Sequence, residues 1–252
     1  MTTPSTLVEL LLVRHGQSTG NVASEAAERG GLERIEIDLR DADVPLSATG
    51  REQALALGRW LRDLDDTETP NHVVVSPYVR AQETARIAVE ESGLDLRLRV
   101  DERIRDRELG VLDLLSGAGV RARFPEEDER RAWVGKFYYR PPGGESWADM
   151  ALRVRSFLGD LEREATGSPR RALVVCHDAV IMLFRYVCEE MTEHEVLEHA
   201  RTRSVTNASV TRLRRNADPD GPRWVADLVS AQEHLDAHGA PRTDQVGSTD
   251  AG

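Results

Sequence analysis

The sequence predicts an α/β fold, a three-layer α/β/α sandwich with a mostly parallel central sheet and a capping insertion. Three short apolar runs predict buried strands, because each is largely aliphatic and stops abruptly at polar residues; they cover residues 7–13, 72–75 and 172–175. Stretches with apolar side chains three and four residues apart predict helices at residues 49–64, 80–91, 146–164 and 179–190. Strands that alternate with helices in this way are typical of a largely parallel sheet with helices on its faces.

The remaining chain divides into an insertion, two late strands and a tail. Between residues 101 and 144 the periodicity breaks down, and we expect a mostly irregular or helical insertion that lies over the strand ends. Late strands are predicted at residues 209–213 and 224–228, on either side of a turn at 218–221. We therefore expect one domain over residues 1–235, followed by a disordered tail over residues 236–252.

The composition argues against nucleic acid and membranes as partners. The 252 residues include 44 acidic and 33 basic side chains, and the formal net charge of -11 repels polyanions and anionic lipid. No apolar run approaches the ~18 residues of a membrane span, and the first residues do not resemble a signal peptide. The two cysteines, Cys176 and Cys188, do not suggest a disulfide framework. We expect a cytoplasmic protein.

Chemically reactive side chains follow the three early strands at the point where each strand ends. Arg14 and His15 follow the first strand, Arg80 opens the helix after the second, and His177 follows the third. Ligands of open α/β sheets bind beyond the carboxyl ends of the strands, so these side chains should meet in one crevice. A histidine can attack phosphorus through an unprotonated ring nitrogen, and arginine offers phosphoryl oxygens a planar fork of donors. For Arg14 and His15 alone, a surface pair at a strand end would be the plainer interpretation.

Five ordered segments resemble those of the histidine phosphatase superfamily, and most closely its phosphoglycerate mutase-like branch. Their order and spacing agree from the first strand to about residue 207. The segments are Arg14-His15-Gly16-Gln17-Ser18-Thr19-Gly20-Asn21, Pro45-Leu46-Ser47-Ala48-Thr49-Gly50, Ser76-Pro77-Tyr78-Val79-Arg80-Ala81-Gln82-Glu83-Thr84-Ala85, Pro142-Gly143-Gly144-Glu145-Ser146 and Val174-Val175-Cys176-His177.

The resemblance implies a role for each matching residue. His15 corresponds to the nucleophile that becomes phosphorylated. Arg14, Arg80 and His177 correspond to the groups that hold the phosphoryl oxygens, with Asn21 as a further donor. Phosphoryl transfer is catalysed mainly by positioning and electrostatic stabilisation, which this set supplies. We expect no cofactor and no metal, because the arginines and a protonated His177 would neutralise the phosphoryl charge.

The general acid departs from the family pattern. The family has a Glu in a Leu-x-Glu-Arg-x-x-Gly context, whereas this chain reads Ile104-Arg105-Asp106-Arg107-Glu108-Leu109-Gly110. Alignment on the glycine puts Asp106 at the acid position, and Glu108 is the alternative. A solvated run of charges would be the plainer interpretation. An acid must be protonated to donate to the leaving oxygen, so we expect burial or the substrate phosphate to raise its pKa.

These observations predict a metal-independent phosphatase that hydrolyses a small phosphorylated substrate through a phosphohistidine on His15. A mutase must exclude water from its phosphoenzyme, and the insertion lacks the Leu-Asn-Glu-Arg-His-Tyr-Gly stretch expected of phosphoglycerate mutases. Phosphoglycerate mutase-type transfer is the first alternative, and a phosphate-binding module without turnover is the second. An edge strand near residues 209–213 would allow a homodimer.

Some local signals receive a structural interpretation. The glycine-rich run at residues 117–122 fits a dinucleotide fingerprint but lacks the flanking strand and helix, so we predict a loop. Ser146 is predicted to cap a helix. Asp178 is predicted to cap the next helix, with orientation of the His177 imidazole as the alternative. Four aromatic residues of the insertion are expected to pack in the core: Trp133, Phe137, Tyr138 and Tyr139.

Overall fold

Six strands form one sheet in the computed structural model, which describes residues 5–202 and 205–243. In chain order the strands are β1 (Leu7–Arg14), β2 (His72–Val75), β3 (Leu98–Val100), β4 (Arg170–Cys176), β5 (Val210–Arg215) and β6 (Trp224–Ala231). Across the sheet their order is β3-β2-β4-β1-β5-β6. The strands from β3 to β1 run parallel, whereas β5 and β6 are antiparallel. The predicted, mostly parallel sheet is confirmed.

The β5–β6 hairpin covers the strand that we expected at an edge. The predicted turn returns the chain alongside β5, and the Gly221 N–H donates to the Asp218 carbonyl at 3.4 Å. β5 consequently lies between β1 and β6, and the edges of the described sheet are β3 and β6. The prediction of an edge strand near residues 209–213 is therefore wrong, because β6 satisfies its outer hydrogen-bonding groups. A homodimer stays a prediction without that support.

Helices cover both faces of the sheet and give the three predicted layers. In the described chain they are α1 (Thr19–Gly30), α2 (Ala48–Arg62), α3 (Val79–Ser92), α4 (Gly117–Arg123), α5 (Pro125–Val134), α6 (Trp147–Glu164), α7 (Asp178–Cys188), α8 (Glu193–Thr202) and α9 (Glu233–Ala237). Among the described residues, no helix is long and apolar enough to cross a bilayer. The four helices that we predicted, now α2, α3, α6 and α7, agree within two residues at either end.

The two faces of β1 show how the layers hold together. Leu10 and Leu12 pack in a core with α6 and α7. Leu11 and Val13, which alternate with them, pack in a second core with α2 and α3. All four side chains are at most 1% exposed. Because both faces of β1 are buried, its sequence is a continuous apolar run and does not show the alternation of side chains between the two faces.

Two helix starts near the site were predicted with different success. Ser146 begins α6 with a capping box: its hydroxyl accepts the Asp149 N–H, and the Asp149 carboxylate accepts the Ser146 N–H. That cap is confirmed. The cap at Asp178 is wrong, because β4 leads directly into α7; His177 is the capping position and Asp178 is the first helical residue. The Asp178 carboxylate still accepts the Ala179 N–H at 2.6 Å.

The glycine-rich run of the insertion is a helix and not the loop that we predicted. The Ser116 hydroxyl caps α4 by accepting the Gly119 N–H at 3.0 Å. A Cβ at Gly119 would come within 1.9 Å of the Glu33 carbonyl oxygen, so glycine permits close packing against that backbone. Pro125 occupies the first position of the next helix, α5, where its missing N–H costs nothing.

The aromatic residues of the insertion divide into two groups. Phe137 and Tyr139 are buried as predicted. Trp133 and Tyr138 are 88% and 54% exposed, so their predicted core packing is wrong. The reason is local: Trp133 lies on the outward side of α5, a helix rich in charged residues.

The first part of the expected tail packs against α2. Gln53 on α2 donates to the Pro241 carbonyl at 2.9 Å and to the Thr243 hydroxyl at 3.1 Å. Ala240 is buried in a small cluster with Ala56 and Leu235. Residues 236–243 thus belong to the folded unit, while the remainder of the expected tail, residues 244–252, lies outside the described residues.

Candidate active site

Three neighbouring strand ends carry the candidate site. His15 directly follows β1, His177 follows β4 and Ser76 follows β2. Backbone bonds continue beyond the strands: the His15 N–H donates to the Cys176 carbonyl and the Ser76 N–H to the Val175 carbonyl, both at 3.0 Å. The His15 and His177 rings consequently lie edge to face with centroids 5.2 Å apart. The predicted meeting of these strand ends is observed.

A backbone carbonyl fixes the tautomer of His15. Its Nδ1 lies 2.7 Å from the Gly16 carbonyl oxygen, which can only accept, so Nδ1 carries the ring proton. Nε2 therefore has the lone pair, and it accepts from Nε of Arg80 at 3.2 Å. Gly16 is required for this turn, because a Cβ there would come within 2.6 Å of the Gly50 carbonyl oxygen.

The environment keeps the His15 ring neutral. Burial holds the pKa of His15 well below its usual value, and the neighbouring Arg80, His177 and Arg14 act in the same direction. The residue is only 3% exposed. An uncharged, buried imidazole with a lone pair on Nε2 is the form that a nucleophilic histidine needs at neutral pH.

Arg80, in the first turn of α3, is the most heavily bonded cation of the pocket. Its Nε donates to Nε2 of His15, and its Nη1 donates to the carbonyl and Oδ1 of Asp41 at 2.6 and 3.0 Å. Its Nη2 donates to Oδ2 of Asp41 at 3.0 Å and to Oδ2 of Asp106 at 2.8 Å. Burial by itself lowers the pKa of Arg80, but the two carboxylates outweigh it and raise the pKa.

Arg14 ends β1 beside these groups and is 2% exposed. Its Nη1 donates to the Val205 carbonyl at 2.7 Å. Burial lowers the pKa of Arg14, with Asp178 and Asp106 opposing. A guanidinium stays protonated in proteins, so Arg14 supplies a second buried positive charge.

Asn21 has a structural function in the cap of α1. Its Oδ1 accepts the Ser18 N–H at 3.0 Å and Nδ2 of Asn207 at 3.2 Å. Asn207 also donates to the His15 carbonyl at 3.2 Å, so this amide pair supports the backbone of the nucleophile. The role of Asn21 as a phosphate donor stays a prediction.

His177 is fully buried between Ser76 and Asp106. Its Nε2 lies 2.8 Å from the Ser76 hydroxyl, and its Nδ1 lies 3.1 Å from Oδ2 of Asp106, an ion-pair distance without hydrogen-bond alignment. The Ser76 oxygen accepts the Tyr78 N–H at 3.3 Å, and its own proton can go to His177. Burial lowers the pKa of His177 although the Asp106 carboxylate opposes it. At neutral pH this favours an uncharged ring, contrary to the protonated His177 that we expected.

Asp106 lies where the arginine and histidine groups converge. Burial would raise its pKa, but His177, Arg80 and the Arg107 N–H together hold the pKa of Asp106 well below its usual value. The Arg107 N–H donates to Oδ1 at 2.9 Å. The expectation that burial raises the pKa of Asp106 is therefore wrong, because His177 and Arg80 outweigh burial, and the effect of a substrate phosphate stays a prediction.

Glu108, the alternative acid, lies at the rim of the pocket. Its side chain is half-exposed, accepts the Tyr78 hydroxyl at 3.2 Å and lies 3.8 Å from Nε of Arg105. Between Arg80 and His177 the carboxylate present is that of Asp106.

Two residues that shape the pocket, Asp41 and Arg153, were not predicted from the sequence. Asp41 begins a 3-10 turn, Asp41–Asp43, and occupies the fork of Arg80. Arg153 on α6 donates to the carbonyls of residues 103 and 105 at 2.6 and 2.9 Å, and to the Asp106 carbonyl at 3.1 Å. It thereby holds the peptide that carries Asp106. No motif marks either residue. The contact of Ser76 with His177 was not predicted either, although Ser76 could have been found as a polar residue directly after a strand.

The pocket as a whole offers a lone pair on the His15 imidazole, the two guanidinium groups of Arg14 and Arg80, and the carboxylates of Asp41 and Asp106. Planar guanidinium forks suit phosphoryl oxygens, and an unprotonated imidazole suits attack on phosphorus. Within residues 5–202 and 205–243, no group of three or more His, Cys, Asp or Glu side chains is arranged to hold a metal ion.

Comparison with known proteins identifies the family. The model of the histidine phosphatase superfamily (branch 1) matches residues 10–227. The chain belongs to this superfamily. The probable phosphoglycerate mutase GpmB of Enterobacter sp. (strain 638) is 31% identical over 234 residues, which are 92% of this chain and 96% of that protein. The resemblance to the phosphoglycerate mutase-like branch is thus confirmed.

Solved structures of other proteins, named as phosphatases, share the fold of this chain. A mycobacterial glucosyl-3-phosphoglycerate phosphatase is 30% identical, with a TM-score of 0.68, over 89% of this chain and 99% of that chain. The structure of that enzyme with VO3 matches with 30% identity and a TM-score of 0.69, over 89% and 100% of the two chains. The three-layer α/β fold is that of these neighbours.

Proposed function

We propose that this protein is a phosphatase that hydrolyses a small phosphomonoester through a phosphohistidine at Nε2 of His15, in the cytoplasm and without a metal. One observation carries the proposal: the Gly16 carbonyl fixes the proton on Nδ1, so that the Nε2 lone pair faces the guanidinium of Arg80. The 30% identity to a phosphatase solved with VO3 supports it further.

In the first step Nε2 of His15 attacks phosphorus, and the bond from phosphorus to the leaving oxygen breaks. Arg14, Arg80 and His177 would hold the equatorial oxygens, with Asn21 as a further donor. Their contribution is electrostatic, because the phosphoryl group carries its charge on those oxygens throughout the transfer. A phosphoryl dianion beside His177 would also favour the protonated ring and so add a positive charge during the step.

Asp106 is the proposed general acid, and binding of the substrate would raise its pKa. A phosphoryl group bound at Arg80 places its negative charge beside Asp106, which accepts from Nη2 of the same guanidinium. This negative neighbour raises the pKa of the carboxyl group against the lowering by His177 and Arg80, so Asp106 can take up a proton and pass it to the leaving alkoxide. Glu108 is less suited, because its carboxylate points to Tyr78 at the rim.

Hydrolysis of the phosphoenzyme completes the cycle. Asp106, now a carboxylate, accepts a proton from water as the water oxygen bonds to phosphorus and the bond to Nε2 breaks. His15 returns to the neutral tautomer that the Gly16 carbonyl selects, and inorganic phosphate is released. The same side chain thus serves as acid and then as base, as microscopic reversibility requires.

Phosphoglycerate mutase-type transfer is the second candidate, and the 31% identical relative named as a probable phosphoglycerate mutase favours it. The two functions share the first step and differ in whether water or a second alcohol receives the phosphoryl group. Phosphoglycerates should therefore be assayed for isomerisation and for release of inorganic phosphate in the same reaction.

The test is hydrolysis of 4-nitrophenyl phosphate by the wild type and by His15→Ala, with and without EDTA. We expect wild-type activity that EDTA leaves unchanged and that His15→Ala abolishes. His194→Ala, which alters an exposed histidine on α8, is the matched control and should retain full activity. Retained activity in His15→Ala would refute the mechanism. A wild type that binds phosphate but turns over neither substrate would indicate a binding module.

A further inference from the structure

Every N–H of the Arg80 guanidinium has a protein partner. The group has five N–H bonds, and the five hydrogen bonds it donates go to His15, Asp41 and Asp106. Arg80 is also almost fully buried, with 5% of its side chain exposed. A phosphoryl oxygen can therefore bind Arg80 only by replacing one of these partners.

The three partners differ in how readily they can leave. The Gly16 carbonyl fixes the His15 ring, and in the proposed mechanism Nε2 leaves Arg80 only when it bonds to phosphorus. Asp106 is held by the Arg107 N–H next to the buried His177. The Asp41 carboxylate is 39% exposed, so it can turn into water and exchange its bonds to Arg80 for bonds to solvent. Asp41 is consequently the partner whose displacement costs least.

The Asp41 carboxylate also uses the fork of Arg80 as a phosphoryl group would. Its two oxygens accept from Nη1 and Nη2, each at 3.0 Å, which is the two-point geometry that guanidinium offers to carboxylate and phosphate alike. A carboxylate in this position competes with a phosphoryl group for the same donors and repels it by charge.

We propose that Asp41 is an internal competitor for the phosphate pocket, which the phosphoryl group of the substrate displaces from Arg80 and which returns as inorganic phosphate leaves. The inference rests on the part of the proposed function that assigns phosphate binding to Arg80. It predicts that Asp41 weakens the binding of phosphate and so limits inhibition by the product. Substrates then need contacts beyond the phosphoryl group to reach high affinity.

The test measures the Kd of inorganic phosphate by calorimetry for the wild type and for Asp41→Asn, an isosteric change that removes the charge. Loss of a bidentate, charge-assisted competitor should tighten binding about tenfold. Asp41→Ala should tighten it as well, and thermal unfolding of each variant checks that the fold is retained. Asp43→Asn is the matched control, because Asp43 lies on the same turn but pairs with the exposed Arg40. It should change the Kd less than about threefold.

Ionic strength separates direct competition from a distant charge effect. A through-space effect of Asp41 would be screened by added salt, whereas competition for the same N–H groups persists. Tightening in Asp41→Asn that survives 0.5 M salt, a concentration at which the screening length is roughly 4 Å, supports the inference. Tightening that disappears with salt overturns it.

Weaker binding of phosphate to Asp41→Asn, together with a lower kcat, would show that Asp41 positions Arg80, and this would overturn the inference. An unchanged Kd would also overturn it. If phosphate bound to neither the wild type nor the variant, the protein would have no phosphate pocket, and the inference would fail with it. Because the assay measures binding, it does not depend on turnover. Tighter phosphate binding in a protein without phosphatase activity would refute the proposed function and leave the competitor role intact.

Discussion

The replacement Asp106→Asn should slow the chemistry most for substrates with poor leaving groups. The amide keeps the shape of the side chain and an oxygen that can accept from Nη2 of Arg80, now 2.8 Å from Oδ2. It cannot transfer a proton to the leaving oxygen. Loss of a positioned general acid typically costs a factor of ~10² to 10⁴ in rate, equivalent to about 3 to 5 kcal/mol of barrier.

The assay compares kcat for glycerol phosphate with kcat for 4-nitrophenyl phosphate. An alkoxide needs the proton in order to leave, whereas nitrophenolate leaves without it. The kcat for 4-nitrophenyl phosphate should therefore fall less than about tenfold. The KM should not rise, because Asp106→Asn removes a negative charge from beside the incoming phosphoryl group.

Glu108→Gln is the control, since it changes a carboxylate in the same peptide that contacts Tyr78 and not Arg80. We expect both substrates to be hydrolysed at rates within about threefold of the wild type, as for an exposed polar change. Two results would refute Asp106 as the general acid. One is an equal decrease of kcat for both substrates in Asp106→Asn, and the other is a decrease of kcat in Glu108→Gln that is specific to glycerol phosphate.

Three further predictions follow from individual contacts. Ser76→Ala removes the hydroxyl 2.8 Å from Nε2 of the buried His177, and kcat/KM should fall about tenfold with the fold intact by circular dichroism; an unchanged kcat/KM would exclude a role for this contact. Arg153→Lys cannot bind the three carbonyls that position Asp106, so kcat should fall more than KM changes, and a pure change in KM would contradict this role. Burial lowers the pKa of His234 to about 4, so its contribution to stability is present above pH 6.5 and is lost as the pH falls towards 4. Between pH 6.5 and pH 4 the free energy of unfolding, measured with urea, should fall by about 3 kcal/mol less in His234→Gln than in the wild type. Equal decreases in the two proteins would contradict a lowered pKa of His234.

The sheet and the central site residues were accessible from the sequence because they depend on short-range features. An apolar run that ends at Arg14 and His15 predicts a strand and also places these two side chains at its carboxyl end. The same holds for His177, since adjacency along the chain fixes the position of a side chain relative to its strand. Parallel strands then bring these ends to one edge without further information.

Features that depend on contacts between distant segments were not accessible. The helix at residues 117–123 exists because Ser116 caps it and Gly119 packs against the backbone of Glu33, and neither contact shows in local composition. Asp41 lies 39 residues before Arg80, and no pattern links the two. The low pKa of Asp106 likewise follows from His177 and Arg80, which reach the carboxylate from distant parts of the chain, whereas the sequence marks the carboxylate alone.

The proposed mechanism requires that His15 becomes phosphorylated on Nε2 during turnover. The most direct measurement quenches the wild-type enzyme in base within milliseconds of mixing with ³²P-labelled substrate, and then locates the label by mass spectrometry of the peptides. We expect an acid-labile, base-stable phosphate on the peptide that contains His15, formed at the rate of turnover or faster and absent from His15→Ala. Turnover without a labelled His15 peptide, or label on another residue that forms at the rate of turnover, would contradict it.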